Sequence, residues 1–461
     1  MLMEENRSNG ETELIGHKDE EFHQERFIPV TRFALVEHLK RYEEKTNAAD
    51  KQADRDMASC ADLFPLMALW RHYCYQQQLE KVRGLYLPFS PDRDTLRMLP
   101  YSDEQLSEMK DQLIDHICHL LERANYVKID EDKLETLLQA NSAHGLELNV
   151  DLSEFDELLL YSRGHETTII EKRTPNKLYL VKERFEVPVY RRIFLLLNMK
   201  SEETRLQEIM QEKHVGKARA KRILRHKRKN LPKDSNFVHL RLFKNIPQED
   251  LEMMFPNTEV RLKLFDKIKL GVTAGGGTVA GVGSAASKLM AAIAAANPIT
   301  LAATITGVIG LISRQVMKVF NTRTKYMMQL AQRLFFHALA NNRGALMLLS
   351  DRAEEEDFKE DILLYFFLLR HPSHREDLKE HGRLDRIIED FIANEFSVDV
   401  NYDLEDAVDR LKRDGIVRED QAGLFTALDP EELREILKKK LLDLISAISE
   451  TPQETLASID A

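Results

Sequence analysis

Glu354–Glu355–Glu356–Asp357 sets four carboxylates side by side, the density that paired-acid chemistry needs. Such a run more often forms the start of a helix, where negative charge complements the dipole, and it is read that way. His371, His374 and His381 lie close together, the first two at i, i+3 spacing. They stand among Arg, Lys and Glu without cysteine, which fits a solvated face better than a metal centre. Gly281–Val282–Gly283 with Ala286 is part of a dinucleotide fingerprint. Glycine precedes it where a strand is required, and no acid follows before Asp351. His165, in Arg163–Gly164–His165, has no identifiable serine or cysteine partner. Cys60, Cys74 and Cys118 are too few for a disulfide framework or a thiolate zinc site. No catalytic residue, cofactor or metal is therefore assigned, and whether the chain is an enzyme stays open, leaning to no.

The strongest charge pattern is basic: Lys213, Lys217, Arg219, Lys221, Arg222, Arg225, Lys227, Arg228, Lys229 and Lys233. Contact with anionic lipid head groups is expected of Arg222, Arg225, Lys227, Arg228 and Lys229, since each base near an anionic surface adds about 1 kcal/mol. A solvated face is the plain alternative. No aromatic residue interrupts the run to stack on bases, and the chain's net charge is −11. Nucleic acid is accordingly not an expected partner.

These residues must be held by several regions. With 461 residues, two or three domains are expected. Residues 1–25 read as a loose acidic tail without a signal core. A soluble α+β domain is expected over 26–265. Apolar spacing predicts helices to about 140, with a capping box at Ser102–Gln105. Short runs at Leu146–Val150, Leu158–Tyr161, Thr167–Ile170, Leu178–Val181, Val187–Leu197 and Phe237–Phe243 then predict a small, mostly antiparallel sheet over about 145–243. Arg163–Gly164 and Thr174–Pro175–Asn176 read as turns between these runs, and the basic segment 200–233 as a helical insertion.

From Leu270 to Ser313 Lys288 is the only charged side chain, although 31% of the whole chain is charged. This predicts a two-helix membrane hairpin over 268–320, turning at Lys288 or at Asn297–Pro298. Gly271, Gly275, Gly277 and Gly281 have the small-xxx-small spacing that packs one membrane helix against another. Lys267 and Lys269 before the stretch, with Arg314 and Lys318 after it, put both soluble parts on the cytoplasmic side. A buried soluble hairpin is the alternative. Beyond it, 321–450 predicts a helical, winged-helix-like domain. Tyr326–Leu349, Asp357–Arg370, Leu384–Phe396 and Leu404–Arg413 are its helices, and Ile416–Arg418 with Leu424–Leu428 its wing. A last helix follows Asp429–Pro430, and 451–461 is loose.

Arg26–Phe27–Ile28–Pro29, Leu242–Phe243–Lys244–Asn245–Ile246–Pro247 and Ala340–Asn341–Asn342–Arg343–Gly344 resemble the transmembrane protein 143-like family (domain of unknown function 3754). So do Arg352–Glu356, Lys359–Glu360 and Leu363–Leu369, and the likeness extends over about 26–420. The resemblance implies an uncharacterised two-pass membrane protein and brings no catalytic residues. The expectation is therefore an integral membrane protein acting as a membrane-anchored scaffold. It would sit in the cytoplasmic membrane if bacterial, with a lipid bilayer, an unknown protein partner and a second copy of itself as candidate partners. The alternatives are a membrane-associated enzyme and an oligomeric channel or transporter subunit.

Overall fold

Two long helices lie side by side in the computed structural model, and the rest of the chain is arranged around them. The structure describes residues 26–47, 53–92, 100–139, 146–173, 182–228, 236–256, 258–262 and 334–450, with Leu231, Met317 and Met328. In chain order the elements are α1 (Arg32–Asn47), α2 (Ala53–Tyr86), α3 (Asp103–Arg123), β1 (Val127–Lys128), α4 (Glu131–Gln139), β2 (Leu146–Asn149), β3 (Phe155–Arg173) and β4 (Lys182–Met199). Then come α5 (Glu202–Glu212), α6 (Lys217–Lys227), β5 (Val238–Pro247), β6 (Glu259–Leu262), β7 (Ala338–Asn341) and α7 (Asn342–Arg370). The chain closes with β8 (Ser373–His374), α8 (Arg383–Phe396), α9 (Leu404–Arg413), β9 (Val417–Glu419), β10 (Leu424–Ala427) and α10 (Pro430–Glu450).

The fold is α+β, mostly helical, with an antiparallel five-stranded sheet in the order β1-β3-β4-β5-β7. Alternation along β4 explains its two faces. Phe194 and Leu196 join α2, α3 and the start of α7 in one core, while Ile193, Leu195 and Leu197 join α4 and the segment Gln248–Met254 in another. A third core packs α1, the first half of α2 and the second half of α7 against α8, α9 and the small sheet β8-β10-β9. Helices α2 and α7 belong to two cores each: Cys60–Met67 and Phe358–Leu368 lie in one, Tyr75–Tyr86 and Ala345–Ala353 in the other.

Several expectations are corrected. Among the described residues no helix is long and apolar enough to cross a membrane, which overturns the two-span integral membrane protein and its cytoplasmic-membrane location. The stretch 268–320 that carried that expectation, including Lys288 and the glycines and bases assigned to the hairpin, lies almost wholly outside the described residues. Residues 1–25, Leu178–Val181 and the turn at Thr174–Asn176 lie outside them too. Arg163–Gly164 does not end a strand: β3 runs through it, with Gly164 at φ 76°. Tyr326–Leu349 is not one helix, because Ala338–Asn341 pairs with β5 as an edge strand. Asn342 then takes φ 46°, and its side chain accepts from the Leu240 amide (3.1 Å), replacing a ladder bond where the chain leaves the sheet. Helix α7 therefore begins at Asn342, and Glu354–Asp357 are not a helix start but its middle.

Candidate anion-binding site

The β3–β4–β5 ladder sets three bases directly opposite one another: Arg163 pairs with Arg192, and Arg192 with Lys244. Like charges facing across a ladder are destabilising, so the row needs counter-ions. The register fixes why these side chains share a face with Phe194 and Leu242, toward α7. One residue further on, the strands kink. Gly164 has φ 76° and Asn245 φ 52°. A Cβ on Gly164 would lie 2.8 Å from the Arg191 Cβ, so glycine permits the close approach of the two strands there.

Against this row lies a cleft of about 400 Å³. The sheet contributes Arg163, Glu166, Arg191, Arg192, Lys244 and Asn245; α7 contributes Arg352, Glu355, Glu356 and Lys359; the segment 27–31 forms the remaining wall. That segment is tied to α7 by its backbone. The Ile28 amide donates to Glu356 Oε2 (3.3 Å), and Lys359 Nζ donates to the Ile28 carbonyl (2.6 Å). Phe27 lies under both cations, 4.3 Å from the Arg163 guanidinium and 5.4 Å from Lys359 Nζ.

Pairing uses most of the charge. Glu356 takes Lys359 (2.9 Å) and lies 3.5 Å from Arg163; Arg352 takes Glu355 (2.7 Å); Arg191 takes Glu166 (3.0 Å). Burial raises the pKa of Glu356 while Lys359 and Arg163 hold it down. Arg192 is left over. Among the described residues it pairs with no carboxylate, and its guanidinium donates to the Arg191 carbonyl (2.7 Å). Half-burial, with Arg163, Arg352 and Arg191 nearby, lowers its pKa below the ordinary arginine value. Lys244 also lacks an ion-pair partner among the described residues. The cleft thus has more positive charge than its own acids neutralise, in a partly desolvated setting where a planar guanidinium can bind an oxyanion through two bonds.

A second charged cluster lies one turn along α7 and is closed. Arg410 donates to Asp361 Oδ1 (2.6 Å), Glu360 Oε2 (2.8 Å) and Asp406 Oδ2 (2.8 Å). Arg71 bridges Asp361 (2.6 Å) and Asp414 (2.7 Å); Arg123 bridges Asp357 (2.9 Å) and Asp406 (2.5 Å). Tyr75 donates to Asp357 (2.6 Å) and Asn125 to Glu360 (3.1 Å). Burial raises the pKa of both Asp357 and Glu360, the latter to about 8, against the pull of Arg410. Asp357, Glu360 and Asp406 bring ligand atoms within 4.8 Å of one another, the spacing of a metal set. Arg410 and Arg123 already bind these oxygens, however. Asp357 Oδ1, which makes no hydrogen bond, still lies 3.1 Å from Arg410 Nη1. The donor set is that of a buried salt-bridge network, with guanidinium where a cation would sit.

The other predicted site residues are placed as follows. Arg222 and Arg225 are exposed on α6. Arg228 donates to buried Glu154 (2.9 Å) and Lys227 to Asp151, so these two bases join the insertion to the body rather than facing outward. Lys229 lies outside the described residues, as do Gly271, Gly275, Gly277, Gly281, Lys267, Lys269, Arg314 and Lys318. His371 ends α7, His374 lies exposed in β8, and His381 is in a left-handed turn at φ 62°. The sequence reading missed Arg191, Arg192 and Lys244. The available signal was a base interrupting an otherwise apolar strand, in Val187–Leu197 and again in Phe237–Phe243 and its continuation.

Residues 155–344, from the start of β3 to the first turn of α7, match the family model described as Protein of unknown function (DUF3754). No solved structure matches the chain.

Proposed function

We propose that this protein binds a phosphate-bearing anion in the cleft between the β3–β4–β5 row and α7. The supporting observation is Arg192: a half-buried guanidinium, flanked by Arg163 and Lys244, with no carboxylate partner among the described residues. Arg163, through Phe27 and Glu356, is fixed in place before a ligand arrives, which lowers the ordering cost of binding. The three bases of the row fall within the family-matched residues 155–344. The segment Phe27–Thr31, which forms another wall of the cleft, lies outside them.

Calorimetric titration of the full chain with inorganic phosphate and with pyrophosphate tests the reading. Saturable binding is expected, weakening as salt rises and falling by about tenfold, roughly 1.4 kcal/mol, in Arg192→Gln. A folded chain that binds neither anion, or an Arg192→Gln variant that binds both as tightly as the unaltered chain, refutes it.

A further inference from the structure

Arg163 borders a second, larger cleft of about 700 Å³. The consecutive residues Arg26 and Phe27 divide the two: Arg26 lines the larger and Phe27 the smaller. The ring of Tyr126 lies 5.1 Å from the Arg163 guanidinium on the side of the larger cleft. Its wall differs in kind from the basic row. Glu122 and Glu380 stand there with Arg26, Lys128 and Lys133, so acids and bases are mixed, and Ser162, Tyr190, Gln248 and Asn401 add uncharged donors and acceptors.

Tyr190 is the informative member. The residue is only 1% exposed, and its hydroxyl makes no hydrogen bond of ordinary geometry, its nearest polar neighbour being the Gln248 side chain. A buried hydroxyl without a partner is costly, and a phenylalanine would fill the same space without that cost. The His165 ring holds the Tyr190 ring edge-on, with centroids 4.9 Å apart. The kink at Gly164 and Asn245 accounts for the position. Beside it the alternation of β4 is lost: Arg192 lies on the basic face, while Tyr190 packs in the core on the opposite one.

We infer that the larger cleft receives the uncharged, hydroxyl-bearing part of the ligand whose phosphate occupies the basic cleft. The ligand class is then a phosphomonoester of a polyol or sugar, with the Tyr190 hydroxyl bonding to one of its oxygens. This inference rests on the proposed phosphate site. Arg163, common to both walls, lies where the ester linkage would pass.

The test compares two probes, ribose 5-phosphate and inorganic phosphate, on the full chain and on Tyr190→Phe. The unaltered chain is expected to bind ribose 5-phosphate at least about tenfold tighter than phosphate. Tyr190→Phe should lose that advantage, bind phosphate unchanged, and melt no lower than the unaltered chain. Arg192→Gln should weaken both probes together. If phosphate binds but ribose 5-phosphate gains nothing over it, or Tyr190→Phe changes both equally, the inference is wrong and the phosphate site stands. If neither probe binds the folded chain, the phosphate site falls and the inference with it.

Discussion

One turn of α7 separates Glu356 from Glu360, yet the two carboxylates serve opposite arrangements. Around Glu360 the acids are in excess: Asp357, Glu360, Asp361, Asp406 and Asp414 surround Arg71, Arg123 and Arg410. Around Glu356 the bases are in excess: Arg163, Arg191, Arg192, Lys244, Arg352 and Lys359 face Glu166, Glu355 and Glu356. The acid-rich centre balances itself with protons, because burial lets Glu360 keep its proton toward pH 8. Arginine has no such outlet, since its guanidinium stays charged at any physiological pH. A surplus of buried acid can therefore close on itself, whereas a surplus of partly buried arginine is neutralised by an anion from elsewhere. That asymmetry separates a structural centre from a binding site made of the same residue types.

The largest expected effect tests the closed centre. Arg410→Met leaves buried carboxylates without their shared partner and should cost about 3–5 kcal/mol in urea unfolding at neutral pH. The deficit should shrink as pH falls, because burial favours the protonated form of Asp357. A loss independent of pH would show that packing, not charge, holds this centre.

Next is the proton itself. The folded-state pKa of Glu360 stands near 8, above its ordinary 4.5. The folded chain therefore binds the proton more tightly than the unfolded one. This contribution to stability is fully present below about pH 4.5 and is lost as pH rises through about 8. Within that window the slope approaches about 1.4 kcal/mol per pH unit. Glu360→Gln should flatten the fall in melting temperature between pH 5 and 9, and an unchanged slope would remove Glu360 as its source. Glu252, pushed up to about 7 mainly by burial, adds a smaller contribution of the same sign.

The open centre should respond in the other direction. Arg192→Gln removes the middle one of three like charges facing across the ladder and should leave stability unchanged or raise it by up to about 1 kcal/mol. Added phosphate should raise the melting temperature of the unaltered chain and not of the variant. A clear destabilisation by Arg192→Gln would place it in the structural class with Arg410. Smallest of all, Arg222→Gln with Arg225→Gln should shift stability by no more than about 0.5 kcal/mol, since both side chains are exposed on α6.

Much of the secondary structure was legible because it obeys local rules. The Ser102 capping box forms with Gln105, and α9 ends before Gly415 at φ 72°. What escaped the sequence depends on partners distant along the chain. Glu354–Asp357 looked like a helix start because apolar and charged residues recur on all sides of α7, leaving no stripe to mark where it begins. Its charges are buried only because Arg71, Arg123, Arg163 and Arg410 arrive from other elements. The basic row was hidden for the same reason. Arg163, Arg192 and Lys244 are far apart in sequence, and only strand register makes them neighbours. Ala338–Asn341 looked helical because its pattern suits a helix, and pairing with β5 overrides that preference. The 213–233 bases read as one surface feature, whereas Arg228 and Lys227 are consumed by Glu154 and Asp151.

Helix α7 carries Ala345–Ala353 in one core and Phe358–Leu368 in another, with the two charged centres at their junction. Its length therefore acts as a phase setting. Each residue of an α-helix turns the chain by about 100° and advances it by about 1.5 Å. A single residue inserted near Ser350 would leave every side chain in place chemically while rotating Glu356 and Lys359 away from the basic row and Asp357, Glu360 and Asp361 away from their arginines. Seven inserted residues would restore the angle to within about 20° but displace the two centres by about 10 Å. Substitutions along α7 change what each centre holds, but a change in its residue count uncouples the sheet's clock from that of the C-terminal helices.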